Sequence, residues 1–422
     1  MINLSQTANL PTTYKQPISL FYPHHNNKIN QKNSIINSFP LFYNAYCYYY
    51  FLYMKFSCLK ENLSVGVSSV GHVALRSGGL PILHNIFFSS GDAGLHLSAT
   101  NLEIGIEHTV RGKLEEAGEC LVSAKLLLDL LPLLPEGQLY LENTKNGLVI
   151  TTNDTTSTLR VTPPTDFPLI PRVENKKGEF SLPQPIIQEV LEKTVLAIGR
   201  VEQRPQFGGV YFSFKENLLT AAATDGYRLA EAVVPLSGGS YVGSIIIPGQ
   251  TIEEVIRLFS TNTDDAAITF VVGDNQVNIT VGATALTSRL IEGDFPDYEA
   301  LFPTETTPLT VSPIALTKAI KATTLFSRSG IADITLNPQT EGKIEIFSES
   351  GEIGSHHTSV TSSGEVKNTN PVVLNAKFFM DGLGACGNDA TVALHGPERP
   401  VLISPVSQGA VRYRYLIMPI RE

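Results

Sequence analysis

The stretch LLTAAATDGYRLAEA, residues 218–232, decides the fold. Apolar and polar residues alternate on both sides of Thr224-Asp225-Gly226, the pattern of two half-buried strands meeting at a polar corner. Two other stretches repeat it, LHLSATNLEIGIE (95–107) and KIEIFSESGEIGSH (343–356), and Thr100, Thr224 and Ser348 stand 124 residues apart each time. Self-similarity at a fixed interval signals tandem structural units.

Further recurrences lie on either side of the corners. CLVSAKLLLDLL (120–131), IIIPGQTIEEVIRLF (245–259) and VVLNAKFFMDGL (372–383) each read as a short strand, a Ser, Pro or Asn at a helix start, and a brief amphipathic helix. An earlier helix opens each copy, at 58–75, 182–199 and 311–327, with prolines at 183, 185 and 313 where a missing N–H costs nothing. TDFPLIP (165–171) and GDFPDYEALFP (293–303) mark the joints. The expected organisation is α+β: three tandem domains at 54–175, 176–305 and 306–422, each with two helices packed on antiparallel sheet. Three such units in a row can curve into a ring or crescent with helices inside and sheets outside.

At 422 residues the chain exceeds what one hydrophobic core holds, which agrees with several domains. No window approaches the roughly 18 uninterrupted apolar residues of a membrane span. Cys47, Cys58, Cys120 and Cys386 have no metal-ligand spacing and are too few to staple the chain, so a reducing cytoplasm is expected. Residues 1–53 contain no Asp, Glu, Gly, Val or Arg and are crowded with Asn, Ile and Tyr. They read as translation from too early a start, with an organellar transit peptide as the alternative; Met54 is the expected true beginning.

A formal charge of −9 argues against an open basic surface. The helices nevertheless gather cations: Lys60, Arg76, Lys125, Lys193, Arg200, Arg257, Lys318, Lys321, Arg328 and Lys377 outnumber their carboxylates. If the helices line one concave surface, that surface is basic while the outside is acidic, which permits loose phosphate contact. Catalysis finds no support. No phosphate-cradling, zinc-protease or nucleophile-elbow motif occurs, and His356-His357 lie on an alternating strand where neighbours point to opposite faces. Asp294 and Asp297 read as turn formers rather than paired acids. No metal, cofactor or catalytic residue is expected.

MKFSCLKENL at 54, LPIL at 80–83, SATNLEIGI, TDGYRLA at 224–230, DFPDY at 294–298 and the terminal YLIMPIRE resemble the bacterial DNA polymerase III β subunit, the replicative sliding clamp. The likeness runs in order over 54–422. It implies a head-to-tail homodimer of three-domain chains, a non-catalytic ring that encloses duplex DNA without reading its sequence. It also implies partners: the replicative polymerase α subunit, the clamp loader, and other polymerases and repair proteins carrying short clamp-binding motifs. The implied location is the cytoplasm, at the nucleoid, with no membrane association.

The resemblance assigns the peptide-binding pocket to Thr224, Gly226, Tyr227, Arg228 and Leu229, with Arg204 and Phe207 from RPQFGGV. Pro296 and Leu301 join from the second joint, Asn375 and Phe378 from LNAKFF, and Leu416, Ile417, Met418, Pro419, Ile420 and Arg421 from the C-terminus. Leu, Met and Phe would bury peptide anchors while Arg and backbone groups hold polar ends. DNA-facing residues would be Lys60, Arg76, Lys125, Lys193, Arg200, Arg257, Lys318, Lys321 and Lys377, and ring closure would involve Leu159, Leu325 and Phe326, which read equally well as core residues. Ala300, Phe378 and Glu422 depart from the family pattern, where a basic residue, a Tyr and an apolar residue are frequent. A monomeric β-rich scaffold that binds peptides without encircling DNA stays open as the alternative.

Overall fold

The computed structural model describes residues 53–91, 94–200, 204–215, 217–236, 238–261, 267–304, 307–327, 330, 332–367 and 369–421. The expectation for residues 1–52 lies outside them, as does Arg328. The chain divides into two units, Met1–Tyr46 and Cys47–Glu422, and the architecture below belongs to the second.

Six α-helices occur among the described residues: α1 (Lys60–Leu75), α2 (Ala124–Leu130), α3 (Gln184–Val195), α4 (Gly249–Thr261), α5 (Pro313–Thr324) and α6 (Ala376–Gly384). Their starts follow local chemistry. Ser123, Ser312 and Asn375 each accept a hydrogen bond from a backbone N–H of the first turn, while Pro183 and Pro185 open α3. The helices pack in pairs, α1 with α2, α3 with α4 and α5 with α6.

Between the helices run 26 strands in four sheets, paired antiparallel among the described residues. Two of these sheets cross from one repeat to the next. The strand Ile104–Val110 pairs with Thr284–Arg289, placing Glu107 opposite Ala285. Likewise Arg228–Pro235 pairs with Arg412–Ile417, placing Glu231 opposite Arg414. The remaining sheets, of five and four strands, end in the edge strands Thr156–Leu159 and Gly354–Thr361. Alternate residues of every repeat enter one continuous apolar core, which at roughly 25 cal/mol per Å² supplies the main driving force.

The sheets correct one expectation. Ser98, Ala222 and Phe347 are the partners of Phe87, Tyr211 and Thr335, so the third copy runs one residue longer than the equal spacing implied. Leu219, Ala221 and Ala223 face the core, as do Ile344, Ile346 and the buried Ser348. Ser348 therefore corresponds to Ala223, not Thr224, because a shift of one residue moves a strand's side chains to the other face. Its hydroxyl donates to the carbonyl of Phe326.

Candidate functional site

The second corner is built from its own polar atoms. Thr224 Oγ1 donates to the carbonyl of Arg228 and accepts from the N–H of Gly226, while Asp225 Oδ1 accepts from the N–H groups of Tyr227 and Arg228. Gly226 takes φ +89°, a left-handed conformation that favours glycine. The first corner repeats every one of these bonds with Thr100 and Asn101. There, Leu102 occupies the left-handed position at φ +77°.

What differs is the surroundings. Arg228 Nε donates to Asp225 at 2.9 Å and a terminal nitrogen reaches Asp381 on α6 at 2.5 Å, with the guanidinium 4.2 Å from the Phe378 ring centre. The C-terminal segment then passes beside the corner: Met418 N–H donates to the carbonyl of Tyr227, and Ile420 N–H to that of Val373. Leu229 and Leu416 are buried with Ala222 and Tyr298, against Tyr211, Phe295 and Phe302. Around them Tyr227 is 68% exposed, Leu301 half-exposed and Met418 exposed. Pro296 and Arg421 are exposed, Phe378, Pro419, Ile420 and Phe207 are half-buried, and Ile417 is buried. Asn375 caps α6, and Arg204 lies 5.3 Å from the Phe207 ring centre.

The second joint is locked onto this floor. Arg414 donates to the buried carboxylate of Glu231 and lies 3.7 Å from the Phe302 ring centre. Burial, reinforced by Glu231, pushes the Tyr298 hydroxyl far above its ordinary range, so it stays protonated. Phe295 stacks on Tyr211 at 4.7 Å, as Phe167 of the first joint meets Phe87 at 5.4 Å. Glu231, Arg414, Tyr298 and Phe302 escaped sequence reasoning. A lone Glu inside LAEAVV was the available signal.

The helix cations separate into two groups. Lys60 is only 8% exposed and ion-paired with Glu136 at 2.6 Å, so it does not present a charge to solvent. Arg257 is also committed elsewhere: its guanidinium bonds Glu254 and the carbonyls of Ser68 and Ser69 on α1, joining the first two repeats. Both cations are thus held by partners within the chain. Lys193 pairs with Glu189 and sits 5.2 Å from the Tyr413 ring centre, and Arg76 approaches Glu253 at 3.5 Å. Lys125, Arg200, Lys318, Lys321 and Lys377 are exposed. Of the closure residues, Leu159 is a buried core residue on the edge strand Thr156–Leu159, whereas Leu325 is 73% exposed and Phe326 stacks on His356.

No cluster of His, Cys, Asp or Glu among the described residues could hold a metal ion, and no described helix is long and apolar enough to cross a membrane. Three repeats joined through shared sheets, with paired helices beneath them, define the DNA-clamp class of architecture. The family models of the DNA polymerase III beta subunit match in series: its N-terminal domain at 54–171, central domain at 181–297 and C-terminal domain at 299–421. The chain is 30% identical to the beta sliding clamp of Staphylococcus aureus, over 81% of this chain and 92% of that one. It is 27% identical to that of Synechocystis, over 87% and 99% respectively. A crystal structure of the Caulobacter crescentus beta sliding clamp, with polyethylene glycol at its putative beta-motif tethering region, superposes with a TM-score of 0.79 at 27% identity, over 88% of this chain and all of that one. The chain belongs to the DNA polymerase III β subunit family, the sliding clamps. It is a non-catalytic processivity factor of DNA replication.

Proposed function

We propose that two copies of this chain close head to tail around duplex DNA, and that the groove beside Thr224–Leu229 docks short apolar motifs of the proteins it tethers. Those proteins are the replicative polymerase α subunit, the clamp loader, and other polymerases and repair proteins with such motifs. Work takes place in the cytoplasm at the nucleoid. The domains run 54–175, 176–305 and 306–422.

One observation carries the closure. Two internal junctions pair a strand of one repeat with a strand of the next, and the corresponding strands at the chain's two ends, Thr156–Leu159 and Gly354–Thr361, are left as edges. Unpaired edges invite another chain. Exposed leucines accompany them, Leu133 after α2 and Leu325 after α5. Arg76, Lys125, Arg200, Lys318, Lys321 and Lys377 supply positional, sequence-independent phosphate contacts. For the groove, the support is the exposed Tyr227, Leu301 and Met418 above a buried apolar floor, with polar backbone at the corner.

The test loads the protein on nicked circular DNA and then linearises the DNA. A topological ring slides off the free ends. Retention on the linear form refutes encirclement and leaves the monomeric peptide-binding scaffold as the better reading.

A further inference from the structure

Resting on the head-to-tail reading, the internal junctions can be carried over, residue by residue, to the closing one. Phe347 occupies the position of Ser98 and Ala222, and across their hairpins these three pair with His357, Glu107 and Glu231. On the receiving side, Ser181, Thr269, Thr280 and Ala285 are successive cross-strand partners in the second repeat. Ser57, Tyr140, Thr151 and Thr156 are the same succession in the first, each set beginning two residues before the N-cap of the repeat's first helix. Glu107 meets Ala285, so the counterpart of Glu107, His357, meets the counterpart of Ala285, Thr156.

We infer that the strand Gly354–Thr361 pairs antiparallel with Thr156–Leu159 of a second copy, with Ser355 opposite Thr158, His356 opposite Ser157 and His357 opposite Thr156, so that closure buries the His356 imidazole and acid opens the ring. Ile106 and Ala230 hold the position of His356 at the internal junctions, and both are fully buried core residues. In the single chain His356 is half-buried, its ring stacked on Phe326 at 5.4 Å and 14°. Closing the junction completes its burial, and a buried imidazole favours the neutral form. His108, one step along the same face at the first junction, is a precedent: burial lowers its pKa to about 4.

The charges around this position do not answer an imidazolium. Ser348 lies directly opposite on the neighbouring strand, whose Glu345 and Glu349 pair with Ser359 and Ser355 and so point to the other face. The packed helix α5 brings only cations, Lys318 and Lys321. From the second copy, Asp154 and Arg160 flank the receiving strand, and Asp129 on α2 is the counterpart of Glu254 and Asp381, each the sixth residue of its helix. Asp381 is reached by Arg228, but the position of Arg228 on the closing edge belongs to Gly354, which has no side chain.

Dimer dissociation constants measured by sedimentation between pH 7.5 and 5.5 test this. The wild type is expected to weaken by about tenfold or more on acidification. His356→Gln should flatten that dependence to within about threefold, whereas His357→Gln retains it. Both variants contain His108, so its titration cancels in the comparison. For the register, a Ser355→Cys/Thr158→Cys double variant should cross-link between copies and Ser355→Cys/Thr156→Cys should not. A dimer indifferent to pH, one that tightens in acid, an undiminished response in His356→Gln or the reverse cross-linking pattern overturns the inference while leaving the ring intact. A wild type that remains monomeric at pH 7.5 instead overturns the ring reading.

Discussion

Arg414, near the end of the third repeat, donates from Nε to the carboxylate of Glu231 in the second at 2.8 Å, and this pair forms the polar centre of the junction beneath the candidate groove. Glu231 is buried, and Arg414 is the cation that meets its carboxylate. Arg414→Ala should destabilise the chain by about 2 kcal/mol, because it strands a buried carboxylate. Glu231→Gln should cost less. Urea unfolding monitored at the second junction checks the order, and equal effects would show that the pair is not the centre of the lock.

Leu102 takes a left-handed backbone that a leucine adopts only under strain, with half of its surface exposed. Leu102→Gly is expected to raise stability by up to about 1 kcal/mol. Gly226→Ala at the equivalent corner should lower it by a similar amount. Thermal melting of the two variants compares them directly.

His108 is buried at the first junction, its Nδ1 2.8 Å from Thr284 Oγ1 of the next repeat. Burial depresses its pKa from 6.5 to about 4, so the unfolded state takes up the proton first. Its contribution is fully present above pH 6.5 and is lost as pH falls towards 4, amounting to roughly 3 kcal/mol at most. Unfolding midpoints for wild type and His108→Gln should converge over that window. Parallel curves would remove His108 from the acid response.

The C-terminal segment touches the corner through Met418 and the third repeat through Ile420. Deleting Met418–Glu422 should abolish binding of a polymerase-derived peptide, a loss of about a hundredfold or more, without dissolving the dimer. Tyr227→Ala should weaken the same peptide while changing stability by less than about 0.5 kcal/mol, since the side chain is exposed. Fluorescence anisotropy of the labelled peptide reads both, and unchanged affinity on deletion refutes the groove.

Lys318 and Lys321 are exposed on α5, whereas Lys60 is buried against Glu136. Paired Lys318→Ala and Lys321→Ala changes should lessen the salt dependence of DNA retention, each phosphate left unneutralised lowering the slope by about 0.9. Lys60→Ala should affect stability and leave that slope unchanged. Salt titrations on circular DNA distinguish the two.

The corners and helix starts were legible because their chemistry is local: Thr224 and Asp225 bond backbone within four residues, and Ser123, Ser312 and Asn375 cap the helices they precede. The extra residue of the third copy was not. Face parity depends on how Thr335 pairs with Phe347 across a hairpin, which a count of intervals between corners does not reveal. Non-local packing hid the rest. Glu231 and Arg414 stand 183 residues apart, and Lys60 opens a helix at a position that reads as exposed until Glu136 folds over it. Leu159 faces inward because its strand alternates, with Thr156 and Thr158 taking the outer side.

The sheets that cross the junctions make self-sufficiency a property of the series rather than of the repeat. The middle repeat cut free of its neighbours would carry two raw edges, Arg228–Pro235 and Thr284–Arg289, each matched to a strand of a sister copy. Such a fragment would join its own kind end to end until the circle closed or the filament ran on. A unit that is complete only when abutted by another is an oligomer before it is a domain. This polypeptide carries three such units in one chain, with two of the contacts made inside it and the edges Thr156–Leu159 and Gly354–Thr361 left over.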